Sequence, residues 1–155
     1  QTLGDTKVTY KYYAEEVAGV REAKIIRAPR GAGSTDIIIV SVTGLPTAEL
    51  IEKVKKNLFS HELMAFDVQV KAPIVTGIEI AIEYSGDAES ADIERIAKWY
   101  VDSLGIGGRF AVKDLYDLYK PFALKTVEII SPARDVQAPD ANAIIISRMT
   151  VSKTA

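Results

Sequence analysis

The chain has 155 residues, 48% hydrophobic and 26% charged, with 19 lysines and arginines against 21 aspartates and glutamates and no cysteine. This length builds a real core in one domain or two small ones; the apolar fraction excludes a disordered segment, and no apolar run nears the ~20 residues of a membrane span. The lack of cysteine removes disulfides, thiolate metal sites and cysteine nucleophiles and leaves the redox compartment open, while a formal net charge of −2 lacks the basic excess with which a dedicated nucleic-acid binder neutralises phosphates.

Thr6 to Val17 fits two periods: Val8, Tyr10 and Tyr12 alternate as on a strand, and Val8, Tyr12, Tyr13 and Val17 line a helical face. Gly19, which takes a left-handed conformation without a Cβ clash, favours the helix by marking its end. Val20 to Ala28 reads as a strand closed by Pro29 and the loop Arg30-Gly31-Ala32-Gly33-Ser34. Asp36 to Thr43, with Ile37-Ile38-Ile39-Val40, is too apolar to leave one face in water and reads as the buried partner of a hairpin. Gly44-Leu45-Pro46-Thr47 is a turn whose Thr47 hydroxyl can accept from an early backbone N–H as an N-cap. Leu50, Ile51, Val54 and Leu58 follow at helical spacing, with Glu49, Glu52, Lys53, Lys55 and Lys56 on the other face.

Phe66 to Ala72 alternates as a short strand, Pro73 interrupts it, and Ile74 to Tyr84 is a long strand with Ile78, Ile80 and Ile82 on one face. The turn Ser85-Gly86-Asp87 leads to a helix with an apolar stripe of Ile93, Ile96, Ala97, Tyr100, Val101 and Leu104, ended by Gly105. After Gly105-Ile106-Gly107-Gly108 comes a short helix from Val112 to Tyr119, halted by Pro121. Leu124 to Ser131 is a strand, Pro132 to Pro139 a polar loop and Asn142 to Val151 a final strand. Irregular alternation with adjacent strand pairs predicts an α+β fold with mainly antiparallel pairing.

An internal repeat is visible when Val17 to Ala28 is placed over Pro121 to Pro132, with Gly19 on Ala123. In each copy a small residue follows a helix, then come an aliphatic, a base and a strand centred on Ile-Ile, and a second strand follows a proline-containing loop. This predicts two helix–strand–strand units, each burying one face of a hairpin under a helix. Two small subdomains are expected, residues 1–72 and 73–155, with the boundary near Lys71 to Val75.

No motif carries a catalytic, cofactor or metal site. Gly31-Ala32-Gly33-Ser34-Thr35 joins two strands, whereas a phosphate-binding glycine loop joins a strand to a helix N-terminus, and no lysine follows at the required spacing; a hairpin turn accounts for it. Gly105-Ile106-Gly107-Gly108 reads as helix termination plus a flexible link. His61 is the only imidazole, which excludes His-rich metal sites, and adjacent His61 and Glu62 point about a hundred degrees apart on a helix, outside any triad spacing. A surface or helix-capping histidine is expected there. Asp87, Glu89, Asp92 and Glu94 cluster where a helix N-terminus favours negative charge. Lys53, Lys55 and Lys56 with nearby Lys71 make a modest basic patch, read as a solvated helix face because Glu49 and Glu52 flank it without interleaved aromatics. Tyr10, Tyr12, Tyr13, Tyr100, Tyr116 and Tyr119 bracket helices near both ends; most are expected at the core, with one or two at an interface.

The order of these signals resembles the baseplate J-like family, the baseplate-wedge proteins of phage tails and related tail-like particles. The residues that carry the resemblance are the helix ending Tyr13-Ala14-Glu15-Glu16-Val17-Ala18-Gly19-Val20-Arg21-Glu22-Ala23, similar to the family's Gly-Val pair with an alanine three residues on, and the hairpin Arg30-Gly31-Ala32-Gly33-Ser34-Thr35-Asp36-Ile37-Ile38-Ile39-Val40, similar to its Gly-x-Gly hairpin. Val68-Gln69-Val70-Lys71-Ala72-Pro73 resembles its strand ending in Ala-Pro. Gly108 to Leu115 and Val127 to Val136 resemble its closing helix and hairpin. The resemblance runs from about Asp5 to Val151, departing where Ala123-Leu124 replaces a Gly-Val pair. The chain starts at Gln1 without a signal-peptide pattern and without the family's usual N-terminal portion, and is expected to be a C-terminal fragment of a larger protein.

The resemblance implies a structural assembly module, made in the bacterial cytoplasm and located in a virion tail baseplate or phage-like particle. Its expected partners are other wedge and tail subunits, with a possible homo-oligomer, no nucleic acid, no membrane span and no catalytic residues or cofactors. The alternative is a small-ligand-binding or regulatory α+β domain of a multidomain enzyme, with a cleft between the subdomains near Lys71 to Val75. A hydrolase acting through His61 would require His61→Ala to abolish a demonstrable activity.

Overall fold

The computed structural model describes residues 6–64 and 67–155, and in it the chain divides into two compact units, residues 1–74 and 75–155. In the first, helix α1 (Thr6–Glu15) precedes strands β1 (Val20–Arg27) and β2 (Thr35–Ser41), helix α2 (Ala48–Ser60) and strand β3 (Val68–Lys71). The ambiguous opening segment is therefore a helix, and Gly19 follows it at φ +101°. Tyr10 and Ala14, four residues apart, are its buried face. Phe66, the expected first residue of β3, and Asp5, where the resemblance begins, lie outside the described residues.

The sheet order is β1-β2-β3. β1 and β2 form the expected antiparallel hairpin, with Ile25 opposite Ile37 and Ala23 opposite Ile39. All seven residues of β2 are buried, which is what a central strand of β-branched residues requires. Leu50, Val54 and Leu58 of α2 meet Tyr10, Ala14, Ile25, Ile37 and Ile39 in one core. The Thr47 hydroxyl caps α2 by accepting from the Leu50 N–H at 3.1 Å. On the edge strand β1, the Ala23 N–H donates to Glu15 and its carbonyl accepts from Lys11, both on α1, so the free edge is closed by a helix.

Within the mainly antiparallel pairing β3 is a parallel member: it runs parallel to β2, with Ile37 beside Val70. The physical reason is α2, which carries the chain the length of the sheet and returns the next strand in the same direction.

The second unit holds β4 (Ile74–Ser85), whose first residue is the last of the first unit, then α3 (Ser90–Ser103), β5 (Arg109–Phe110), α4 (Val112–Tyr119), a 3₁₀ turn containing Pro121, β6 (Thr126–Ser131), β7 (Val136–Gln137) and β8 (Asn142–Lys153). Ile78, Ile80, Ile82 and Tyr84 alternate inward along β4 and meet Ile93, Ala97, Tyr100 and Val101 of α3 and Leu115 and Tyr119 of α4. The main sheet has the order β6-β4-β8. β6 is antiparallel to β4, with Ile82 opposite Ile129. Ser147 lies beside Gly77, and further along the Thr154 N–H donates to the Tyr84 carbonyl, so β8 runs parallel to β4. Ile144 and Ile146, then Met149 and Val151, face the same core, so the inward parity of β8 changes at Ser147-Arg148.

The helix–strand–strand order thus recurs, α1-β1-β2 and α4-β6-β8, but the second copy is not a hairpin because β4 lies between β6 and β8. The local part of the repeat is close: Gly19 and Ala123 both take positive φ, +101° and +51°, and Ile25 and Ile129 are both core residues. Two short strands interrupt segments expected as irregular. Arg109 and Phe110, between the expected link and the expected short helix, pair with Gln137 and Val136 of the expected polar loop. The class is α+β, with four helices and eight strands among the described residues.

Candidate functional site

The polar groups of the first unit converge where the loop after β1 meets the start of β3. Asp36 enters β2 at its N-terminal end and is 7% exposed despite its charge. Arg30 Nη1 donates to Asp36 Oδ1 at 2.6 Å, and Lys71 Nζ donates to Oδ2 at 3.1 Å. The Arg30 guanidinium also clamps Asp67, Nε donating to Oδ1 at 3.0 Å while Nη2 lies 2.8 Å from the same oxygen. Burial alone pushes the Asp36 carboxyl up; hydrogen bonds from Arg30 and Lys71 and their charges outweigh it and hold the carboxyl below its usual range. The hydrogen bond from Arg30 likewise lowers Asp67, and the two acids, Asp67 first, raise Arg30. The four charges neutralise one another, which pins the loop to β3.

The glycine loop itself spends its N–H groups internally. Gly31 N–H donates to the Ala28 carbonyl, Ser34 N–H to the Gly31 carbonyl, and Arg30 N–H to Ser34 Oγ. It is a turn joining two strands, as expected, and those three N–H groups are not turned toward a ligand. Lys71 belongs to the Asp36 cluster and is separate from the lysines of α2.

His61 caps the C-terminus of α2, its N–H donating to the Leu58 carbonyl. Its ring stacks on Tyr13 at 3.9 Å between centroids, and Nε2 lies 3.9 Å from Glu16 Oε1. Asn57 Nδ2 donates to the Tyr13 carbonyl and to Glu16, joining α1 to α2 at the same place. This is the capping histidine that the sequence pattern predicts. Glu62 follows at φ +60° and is exposed. Of the acids at the start of α3, Asp92 pairs with Arg95 at 2.6 Å, and Glu89 stands at the N-cap without a side-chain capping bond.

The tyrosines divide between core and surface. Tyr10, Tyr100 and Tyr119 are buried, Tyr13 and Tyr116 are half-buried, and Tyr12 is exposed. The Tyr119 hydroxyl donates to the Ile93 carbonyl at 2.6 Å, and its burial pushes the phenol well above its ordinary range. Tyr100 Oη accepts from the Ala111 N–H at 2.9 Å, so both hydroxyls serve to tie helices together.

What the sequence reading missed is Phe59. It is 74% exposed on α2 and lines a hollow of about 280 Å³ with Lys55, Lys56 and Met64. An aromatic therefore does interleave with the lysines, three and four residues along the helix from Lys56 and Lys55. A second groove of about 420 Å³ is lined by Glu16, Val17, Lys53, Lys56, Asn57 and Ser60. Among the described residues no group of three or more His, Asp or Glu side chains is placed to hold a metal ion, and no helix is long and apolar enough to cross a membrane.

The first unit is thus an α+β scaffold with helices on one face of a small sheet and an exposed basic and aromatic surface on α2. Residues 4–80 match the family model of the Baseplate J-like central domain. Residues 4–80 are thus a Baseplate J-like central domain, and the class is that of structural proteins of the phage tail baseplate. The motifs quoted for the second unit, Gly108 to Leu115 and Val127 to Val136, lie beyond the matched segment. No curated protein matches the chain.

Proposed function

We propose that the chain is an assembly module of a phage or phage-like tail baseplate, working through contacts between wedge subunits and without catalysis. The observation that carries the reading is the match of residues 4–80 to the Baseplate J-like central domain. The spending of charge within the fold supports it: Arg30, Asp36, Asp67 and Lys71 satisfy one another, and His61 caps a helix and stacks on Tyr13. The partners are other wedge and tail subunits, reached after synthesis in the bacterial cytoplasm. The chain acts as two subdomains dividing near residues 72 and 73, a reading supported by the separation of backbone contacts at Ile74 and Val75.

Cross-linking in cells that produce the particle, followed by mass spectrometry, tests the assembly role. Cross-links from α1 or α2 lysines to tail subunits are expected, with the chain recovered in assembled baseplates. Recovery only with a metabolic enzyme complex, and none in particles, would overturn it.

A further inference from the structure

We propose that the chain associates head to tail with a second copy of itself, the basic and aromatic face of α2 on one copy meeting the acidic outer face of β4 and β6 on the next. The inference stands on these two surfaces and does not rest on the baseplate reading.

On α2, Lys53 and Lys56 make no ion pair among the described residues, while Lys55 is held by Glu52 at 3.2 Å. Phe59 projects into water beside Lys55 and Lys56, at an apolar hollow bounded by Met64. A surface with this make-up is suited to a partner that brings carboxylates around a central apolar side chain, the arrangement of a polar rim around an apolar anchor.

The second unit displays such a partner. The helices cover one face of its main sheet, and on the other Glu83 stands directly opposite Glu128. Like charges paired across strands destabilise a sheet. Neither carboxylate is in an ion pair among the described residues, nor is Glu79, two side-chain repeats from Glu83 along the same face of β4, beyond Ala81, and Arg148 of β8 pairs with none of them. Ile130, next to this acidic row on β6, is 48% exposed. Lysines arriving from outside relieve the Glu83–Glu128 repulsion, and Phe59 and Ile130 supply one large apolar side chain from each side. The two halves of the contact lie on different units of the same chain, so the contact is heterologous.

Sedimentation of the full chain over a range of concentrations tests this. The apparent Kd is expected to rise about tenfold as salt screens the contact. Lys53→Glu with Lys56→Glu, and separately Glu83→Lys with Glu128→Lys, are each expected to weaken self-association at least about tenfold, and an equimolar mixture of the two variants to restore it. Where a charge reversal alters the circular dichroism, the neutral pairs Lys53→Gln with Lys56→Gln and Glu83→Gln with Glu128→Gln take its place, each expected to weaken association. A chain that stays monomeric, association that ignores these substitutions, or reversals that fail to rescue each other overturn the proposal. A monomer that still cross-links to tail subunits overturns this contact and leaves the baseplate reading standing; charge-swapped self-association without such cross-links does the reverse.

Discussion

A carboxylate inside a run of β-branched residues loses its hydration, and it stays ionised only if cations and hydrogen bonds replace the water. Asp36 is that case, and its two cations come from the loop before β2 and from the end of β3. Asp36→Asn keeps the shape and removes the charge, and is expected to lower stability at neutral pH by about 1–3 kcal/mol. The folded carboxyl titrates below the usual aspartate value of 3.8, so its contribution is fully present above that value and is lost as pH falls through the folded-state value. Thermal unfolding followed from neutral pH downward should therefore show the gap between parent and Asp36→Asn closing below about pH 4. A gap that is constant with pH would mean the charge plays no part. In the sequence Asp36 reads only as the polar first residue of a strand, because Lys71 is 35 residues away and meets it only through the parallel pairing of β2 and β3. Periodicity fixes which face a residue takes but not which strand lies beside it, so the cluster was not legible before the register was known.

Elements whose signal is local were legible almost to the residue. Thr47 caps α2, Val112–Tyr119 is a helix, and the alternation of Ile78, Ile80 and Ile82 places β4 on its core. The Gly105–Gly108 segment was not, because its role is steric and depends on what the backbone crosses. Ile106 is buried and bridges to Ala143, and the Gly107 N–H donates to the Asn142 carbonyl at 2.7 Å. A Cβ on Gly108 would collide with the Leu104 carbonyl oxygen and come within 2.8 Å of the Leu104 Cβ, so the chain passes against the end of α3 at a distance only glycine allows. From there it enters β5, whose two residues pair with β7. Gly108→Ala is expected to destabilise the second unit by about 1–3 kcal/mol, since backbone must shift to admit the methyl group. Chemical denaturation compares it with Gly31→Ala, where the added Cβ meets nothing within 4 Å and the cost is that of a positive φ alone. Equal losses at the two positions would remove the steric account of the link.

At the level of the whole chain, the order of elements carried the family resemblance, and the first half of that order is where the Baseplate J-like central domain matches. The pairing of β4 between β6 and β8 was out of reach, since a long strand with one apolar face is compatible with either an edge or a central place. Two cores follow from the pairing, one built on Ile37, Ile39, Val54 and Leu58 and the other on Ile80, Ile82, Ile93 and Leu115. A core defect should then be felt unequally along the chain. Leu58 is completely buried on α2, and Leu58→Ala is expected to cost about 2–5 kcal/mol by removing its contacts and leaving a cavity. Native-state hydrogen exchange should show lost protection in the amides of α1, β1, β2, α2 and β3, while those of β4, α3 and β8 keep parental rates. Protection falling by the same factor in both groups would show one cooperative unit, and the division near residues 72 and 73 would fail as a division of folding.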